Sequence, residues 1–308
     1  MLETKSQKAL EIDKGVARAG AISKQRFGFV QFTHKNKKTG KTGKKHIVLV
    51  IDKRQKFVIA VLLLSASLFL TEYSGIVVVS SGFIVSFVFA LLTNLLLFWA
   101  VRKDFREAFS FNFFILPFFY SLAFGMFYFL IPAKISFRII LTGLYAFGLY
   151  SLFLSQNIFI VATIRTIALL SGARIVSFVI TLLSFFFLSN ILYSLRLSLA
   201  PTIIILGIYT YLLTQHSVWI YTLQKSVKEH WLTIAGLAVC IIETAILSWF
   251  WPSSPTVIAL FLTGFFYTVN GLSHVWLQKR LFRNVLWEYV WVGVVVFIVL
   301  QLFSSWGK

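Results

Sequence analysis

The sequence predicts an all-α fold: a bundle of about nine membrane-spanning helices, N-terminus inside, behind a basic head. Three observations carry this. Apolar residues make up 58% of the 308 residues and charged residues 13%, with a mean hydropathy of +0.85. A water-soluble fold cannot hide that much apolar surface. The apolar residues gather in nine runs, each long enough or nearly so to cross a core of about 30 Å at about 1.5 Å per residue. Finally, 15 of the 29 Lys and Arg fall in residues 1–56, which separates a charged head from the apolar remainder.

The head, residues 1–56, contains only four acids (Glu3, Glu11, Asp13 and Asp52) and so holds +11 of the net +19. Phe27–Phe32 and His46–Ile51 are β-prone runs flanking the Lys/Gly/Thr stretch Lys35–Lys45. They read either as a hairpin or as parts of an unstructured basic tail. Gly40–Lys45 lacks the GxxxxGK[ST] spacing of a phosphate loop. The basic charge fits the anionic lipid of a cytoplasmic leaflet or a cytoplasmic protein partner, and gives no strong reason to expect nucleic acid.

Residues 57–308 form the second domain, with spans near 57–72, 75–101, 111–131, 135–155, 175–195, 202–223, 231–251, 256–276 and 285–303. The break between the first two falls at Thr71–Gly75 or at Ser80–Gly82. Pro132, Pro201, Pro252 and Pro255 stand at run ends, where a missing amide donor does little harm. Ten basic residues lie in the connections placed inside, against Lys134, Arg138, Arg196 and Lys308 outside, in keeping with the positive-inside bias of an inner membrane. The stretch 156–172 contains Gln156, Asn157 and Arg165. As a tenth span it would move Lys225, Lys228, Lys279, Arg280 and Arg283 outside. It is therefore expected to be a helix lying in the inner interface, with Arg165 and Arg174 at the headgroups.

Chemistry-bearing residues inside the spans are few. Glu243 lies twelve positions after Trp231, roughly 18 Å along its helix and near mid-membrane. A carboxyl group there is costly and marks a functional site, or else a neutral structural hydrogen-bonder. His216, Asn270 and His274 lie toward the inner half of spans six and eight. Both histidines are within about two turns of the interface, so reaching water is their cheaper arrangement. Their depth is about 9 Å or more from Glu243, too far for direct pairing along regular helices.

Enzyme signatures are missing. The sequence has no HExxH, no GxSxG, one cysteine (Cys240, inside an apolar run) and three aspartates, Asp13, Asp52 and Asp104, all outside the runs. No catalytic residue, metal ligand set or cofactor is expected. Haem ligation by His216 and His274 has no further signature behind it. Ser121-xxx-Gly125 and Ser86-xxx-Ala90 offer small surfaces for close helix packing. The echo of Trp99-x-x-Arg102-Lys103-x-Phe105-Arg106 in Trp276-x-x-Lys279-Arg280-x-Phe282-Arg283 fits interfacial anchoring better than an internal repeat.

The segments Leu144–Tyr150, Gln156–Phe159 and Ile164–Thr166, together with Trp251–Thr256, Leu281–Arg283 and Glu288–Tyr289, resemble a family of uncharacterised bacterial polytopic membrane proteins, a domain of unknown function. The resemblance implies a multi-pass bundle over most of residues 53–307 and a distinctive element at 156–172. It brings no activity, cofactor or catalytic residue. Two functional readings remain. One is transport of a substrate, with or without protons, across the cytoplasmic membrane through the Glu243, His216, Asn270 and His274 region. The other is a non-catalytic scaffold or complex subunit that recruits a cytoplasmic partner through its basic head.

Overall fold

A computed structural model describes residues 53–73, 79–102, 110–130, 135–163, 168–223 and 230–305. The chain divides into two units, Met1–Leu49 and Val50–Lys308, and every described residue belongs to the second. Among the described residues are nine helices: α1 (Lys53–Tyr73), α2 (Val79–Val101), α3 (Asn112–Leu130), α4 (Ile135–Ala162), α5 (Leu170–Ser194), α6 (Leu199–Thr222), α7 (Trp231–Trp249), α8 (Pro255–Leu277) and α9 (Arg283–Leu302). All nine are long and apolar enough to cross a membrane. The fold is that of a multi-pass membrane protein.

The helix ends refine the expected runs. The first break falls between Tyr73 and Val79, the earlier of the two alternatives. The described residues of 156–172 make no separate interfacial helix. Residues 156–162 are the last turns of α4 and 170–172 the first of α5, while Arg165 lies outside the described residues. The cause is packing: Gln156, Phe159 and Ile160 are buried against the bundle, so the helix continues through the polar pair. The hairpin expected at 27–51 also lies outside the described residues. Lys53–Lys56, the end of the expected head, instead open α1, where Lys56 Nζ sits 5.1 Å from the Trp99 ring centre.

With lipid on every side, burying apolar surface gives helices little reason to associate, so close packing and hydrogen bonds must do so. The small residues supply both. Gly125 of α3 lies against Ser86 of α2, leaving no room for a Cβ. One turn away, Ser121 Oγ is 2.7 Å from Thr93 Oγ1 and 3.0 Å from the Tyr145 hydroxyl, which ties α2, α3 and α4 together. Aromatic rings fill the space around them. Tyr120 stacks on Tyr145 at 5.7 Å, Phe127 on Phe187 at 4.2 Å, and Phe185 on Phe266 at 4.4 Å. Each such pair contributes about 0.5–1.5 kcal/mol beyond its buried area.

Helices α3, α5 and α6 are the most enclosed, and α9 is the least, packing chiefly on α8. Arg174 donates to the last carbonyls of α6, whereas Asn190 near the other end of α5 donates to Thr256 at the start of α8. These contacts mark the two ends of the bundle, called below the Arg174 end and the Thr256 end.

Candidate functional site

Helix α5 presents Ser177, Thr181 and Ser184 to the interior, all fully buried. The i, i+4, i+7 spacing puts them on one face of the helix. Thr181 and Ser184 return their hydroxyls to carbonyls one turn back, which leaves Ser177 free to bond across. It lies 3.4 Å from His216 Nε2, and His216 Nδ1 lies 2.8 Å from the backbone carbonyl of Asn112. A carbonyl only accepts, so Nδ1 holds the proton and Nε2 accepts from Ser177. Gln215 adds a bond from Nε2 to Asn112 Oδ1 at 2.9 Å. The start of α3 is thus held by two consecutive residues of α6.

Ser217, the next residue, faces α8. Its hydroxyl is 2.7 Å from His274 Nε2. The His274 ring stacks on Tyr221 at 4.0 Å and meets the edge of Phe178 at 4.8 Å. Arg174 stands over the other component of this stack, 4.9 Å from the Tyr221 ring centre. It donates from Nε to the Ile220 carbonyl and from Nη2 to that of Tyr221, both at 3.3 Å. A cation over the last carbonyls of α6 is well placed for their exposed dipoles. One turn from His274, Asn270 donates to the Phe266 carbonyl at 3.1 Å. Its Oδ1 is buried without a hydrogen-bond partner among the described residues, as are both amide atoms of Gln156 and the hydroxyls of Thr210 and Thr214.

The structure therefore joins three of the expected residues, His216, Asn270 and His274, in one buried region at the Arg174 end. Neither histidine reaches toward solvent as its depth suggested. Both are enclosed because α6 is flanked by α3, α5, α7 and α8. Arg174 is half-buried and spends its donors on α6.

Glu243 stands apart. The buried residues of α7 are Ile234, Ala238, Ile241, Ala245 and Ser248, one face at helical spacing. Glu243 occupies the opposite face and is exposed, with exposed Leu232, Val239, Cys240 and Leu247 beside it. Ala245 illustrates the contrast two residues away: its carbonyl accepts the Tyr193 hydroxyl of α5 at 2.8 Å.

Asn112, Ser177, Ser217 and Tyr221 were not singled out from the sequence. A serine–threonine face in the apolar α5 run was the available signal. A cavity of about 390 Å³ lies in the other half of the bundle, lined by Phe83, Phe119, Met126, Leu188, Leu192 and Ile208 among others. Its walls are almost wholly apolar: Tyr209 is the one lining residue with a polar side-chain group, and none of the polar residues described above borders it. Among the described residues, no three His, Cys, Asp or Glu side chains converge as a metal site would require.

Over residues 59–303 the chain matches a protein family described as "Protein of unknown function (DUF5656)". Neither a curated protein nor a solved structure matches it.

Proposed function

The chain belongs to that family of unknown function, and from this premise we propose that it is a non-catalytic subunit of a membrane complex, assembling with another chain inside the bilayer. The observation that carries the reading is the outward position of Glu243. A carboxyl group in the middle of a span normally turns to the bundle interior or to a watery cavity. Here the interior positions of α7 are taken by Ile, Ala and Ser, and the carboxyl faces where lipid or another protein must be. Lipid tails offer it no hydrogen bond. A protein neighbour does.

The interior polar residues support the same reading. His216 and His274 are engaged in bonds that hold helices together, a structural use of imidazole. The basic head, with its +11 charge, adds a second contact, to a cytoplasmic partner or to anionic lipid at the inner face of the cytoplasmic membrane. Transport is the second reading. It draws on Asn270, Thr210, Thr214 and Gln156, whose buried polar atoms have no protein partner among the described residues and are of the kind that hold water or a polar solute. Glu243 does not belong to that group, which weakens the site on which transport was expected to rest.

Extraction of the native protein into a mild detergent or native nanodiscs, followed by mass determination, tests the proposal. A defined assembly heavier than one chain is expected. A single chain in both preparations, together with a solute flux that depends on Asn270, would replace the subunit reading with transport.

A further inference from the structure

The outward face of α7 is laid out for a helix. Leu232, Gly236, Val239 or Cys240, Glu243 and Leu247 recur at spacings of three and four and lie opposite the buried face. Glu243 lies two thirds of the way along α7, twelve residues from Trp231 and six from Trp249, hence about 18 Å and about 9 Å from the two ends of the helix. Gly236 is two turns from it on the same side, and a Cβ built there meets nothing within 4 Å. Cys240 is exposed between them. Thr244 Oγ1 donates back to the Cys240 carbonyl at 2.9 Å, so it follows its own helix and leaves the carboxyl to an outside neighbour.

Charge decides what that neighbour is. Meeting α7 through the same face, a second copy brings another Glu243 carboxyl to this depth and, among the described residues, no base. Among the described residues, the Lys and Arg of the helices sit near their ends: Lys53, Arg54 and Lys56 open α1, Arg138 is in the first turn of α4, Arg174 is in the second turn of α5, and Arg283 opens α9. Arg174 is already committed to α6. None stands as deep as Glu243, about 9 Å from the Thr256 end of α7; Arg138, the deepest at that end, is about 5 Å into α4.

We infer that the outward face of α7 docks a transmembrane helix of a different protein, one carrying a Lys or Arg near its midpoint and small residues against Gly236 and Cys240. The inference rests on the subunit reading above and names the partner's chemistry. The small residues let the two backbones approach, and the approach brings the basic side chain onto the carboxylate away from water, where a charged pair with no third partner is most specific.

Cys240 is the chain's one cysteine, so disulfide capture on this face reads without interference. The full-length protein is placed in phosphatidylcholine vesicles with a synthetic Leu/Ala transmembrane peptide of about 20 residues. The peptide carries a central Lys, a Gly-xxx-Gly face and one cysteine level with Cys240. The control peptide has Leu in place of Lys. Capture of the Lys peptide is expected, falling by about tenfold or more for the Leu peptide or for Glu243→Gln, as the loss of one buried polar contact between helices implies. Glu243→Lys paired with a peptide bearing a central Glu should restore capture.

Equal capture of Lys and Leu peptides overturns the inference. So does a Cys240–Cys240 product between two copies of the chain that outcompetes the peptide. The native assembly separates this failure from that of the subunit reading. An assembly that survives Glu243→Gln sinks the inference and keeps the reading, whereas a wild-type protein that forms no assembly sinks both.

Discussion

His274 of α8 and Ser217 of α6 meet at 2.7 Å, a bond between two helices that face α5 together. Both groups are buried. Ser217→Ala leaves the imidazole without that partner and is expected to cost about 1–3 kcal/mol. Adding His274→Phe removes the second polar group and keeps a ring on Tyr221, so the double variant should lose less than the sum of the singles. Thermal unfolding in detergent through a double-mutant cycle measures this. Simple additivity would mean that the contact contributes nothing.

Gly125 packs directly on Ser86, with both the hydroxyl and the Cα of the serine in the way of any added carbon. Because backbone blocks it as well as side chain, Gly125→Ala must push α2 and α3 apart. A loss of about 1–3 kcal/mol is expected, the range for overpacking. Ser86→Gly in the same chain should recover part of it. An unchanged melting temperature for Gly125→Ala would show that the two helices are farther apart than described.

Two residues of α7 provide a paired test of its faces. Ala245 is buried and its carbonyl is bonded to Tyr193, whereas Glu243 is exposed. Ala245→Leu should destabilise the isolated chain by about 1–3 kcal/mol. Glu243→Leu should leave it within about 0.5 kcal/mol of wild type, as for other outward substitutions, while dispersing the native assembly. The reverse ranking would turn α7 around.

Arg174 holds α6 with a planar fork that lysine cannot reproduce. Arg174→Lys is expected to cost about 1 kcal/mol, and hydrogen exchange at Ile220–Thr222 should rise as the end of α6 loosens. Unaltered exchange there would show that the two carbonyl bonds do not restrain the helix end.

Residues 53 and 308 fall on opposite sides of the membrane with the nine described helices as the spans. With the basic head inside, a reporter active only in the cytoplasm and fused after Lys308 should be silent, and one fused before residue 53 should be active. A bright reporter after Lys308 would break the parity.

The spans were readable because each run is long and apolar almost all round. That same uniformity hid the faces. In a helix such as α6, apolar residues point both inward and outward, and sequence depth alone placed His216 and His274 near water. Their true setting depends on α6 being enclosed by α3, α5, α7 and α8, a property of tertiary packing that no single run carries. On α7 the information was present: Ala238, Ala245 and Ser248 are the small residues of a packed face, and Glu243 falls opposite them. Polar residues misled in the other direction at 156–172. Gln156 and Asn157 suggested a helix break, yet buried neighbours on both sides carry α4 past them.

Helix α9 has its own consequence. On α8, Gly264 receives Val296 and Gly271 receives the ring of Tyr289, while beyond the helix Ser305 N donates to the Pro252 carbonyl at 2.9 Å. The last span is thus fastened along one seam by two sockets and a clasp, and it supplies almost nothing to the interior. Packing among the other described helices therefore depends little on α9, whose docking is a latch separate from the interior. When the latch opens, the two glycine sockets on α8 are bared together, so the seam is either wholly closed or wholly available to another helix.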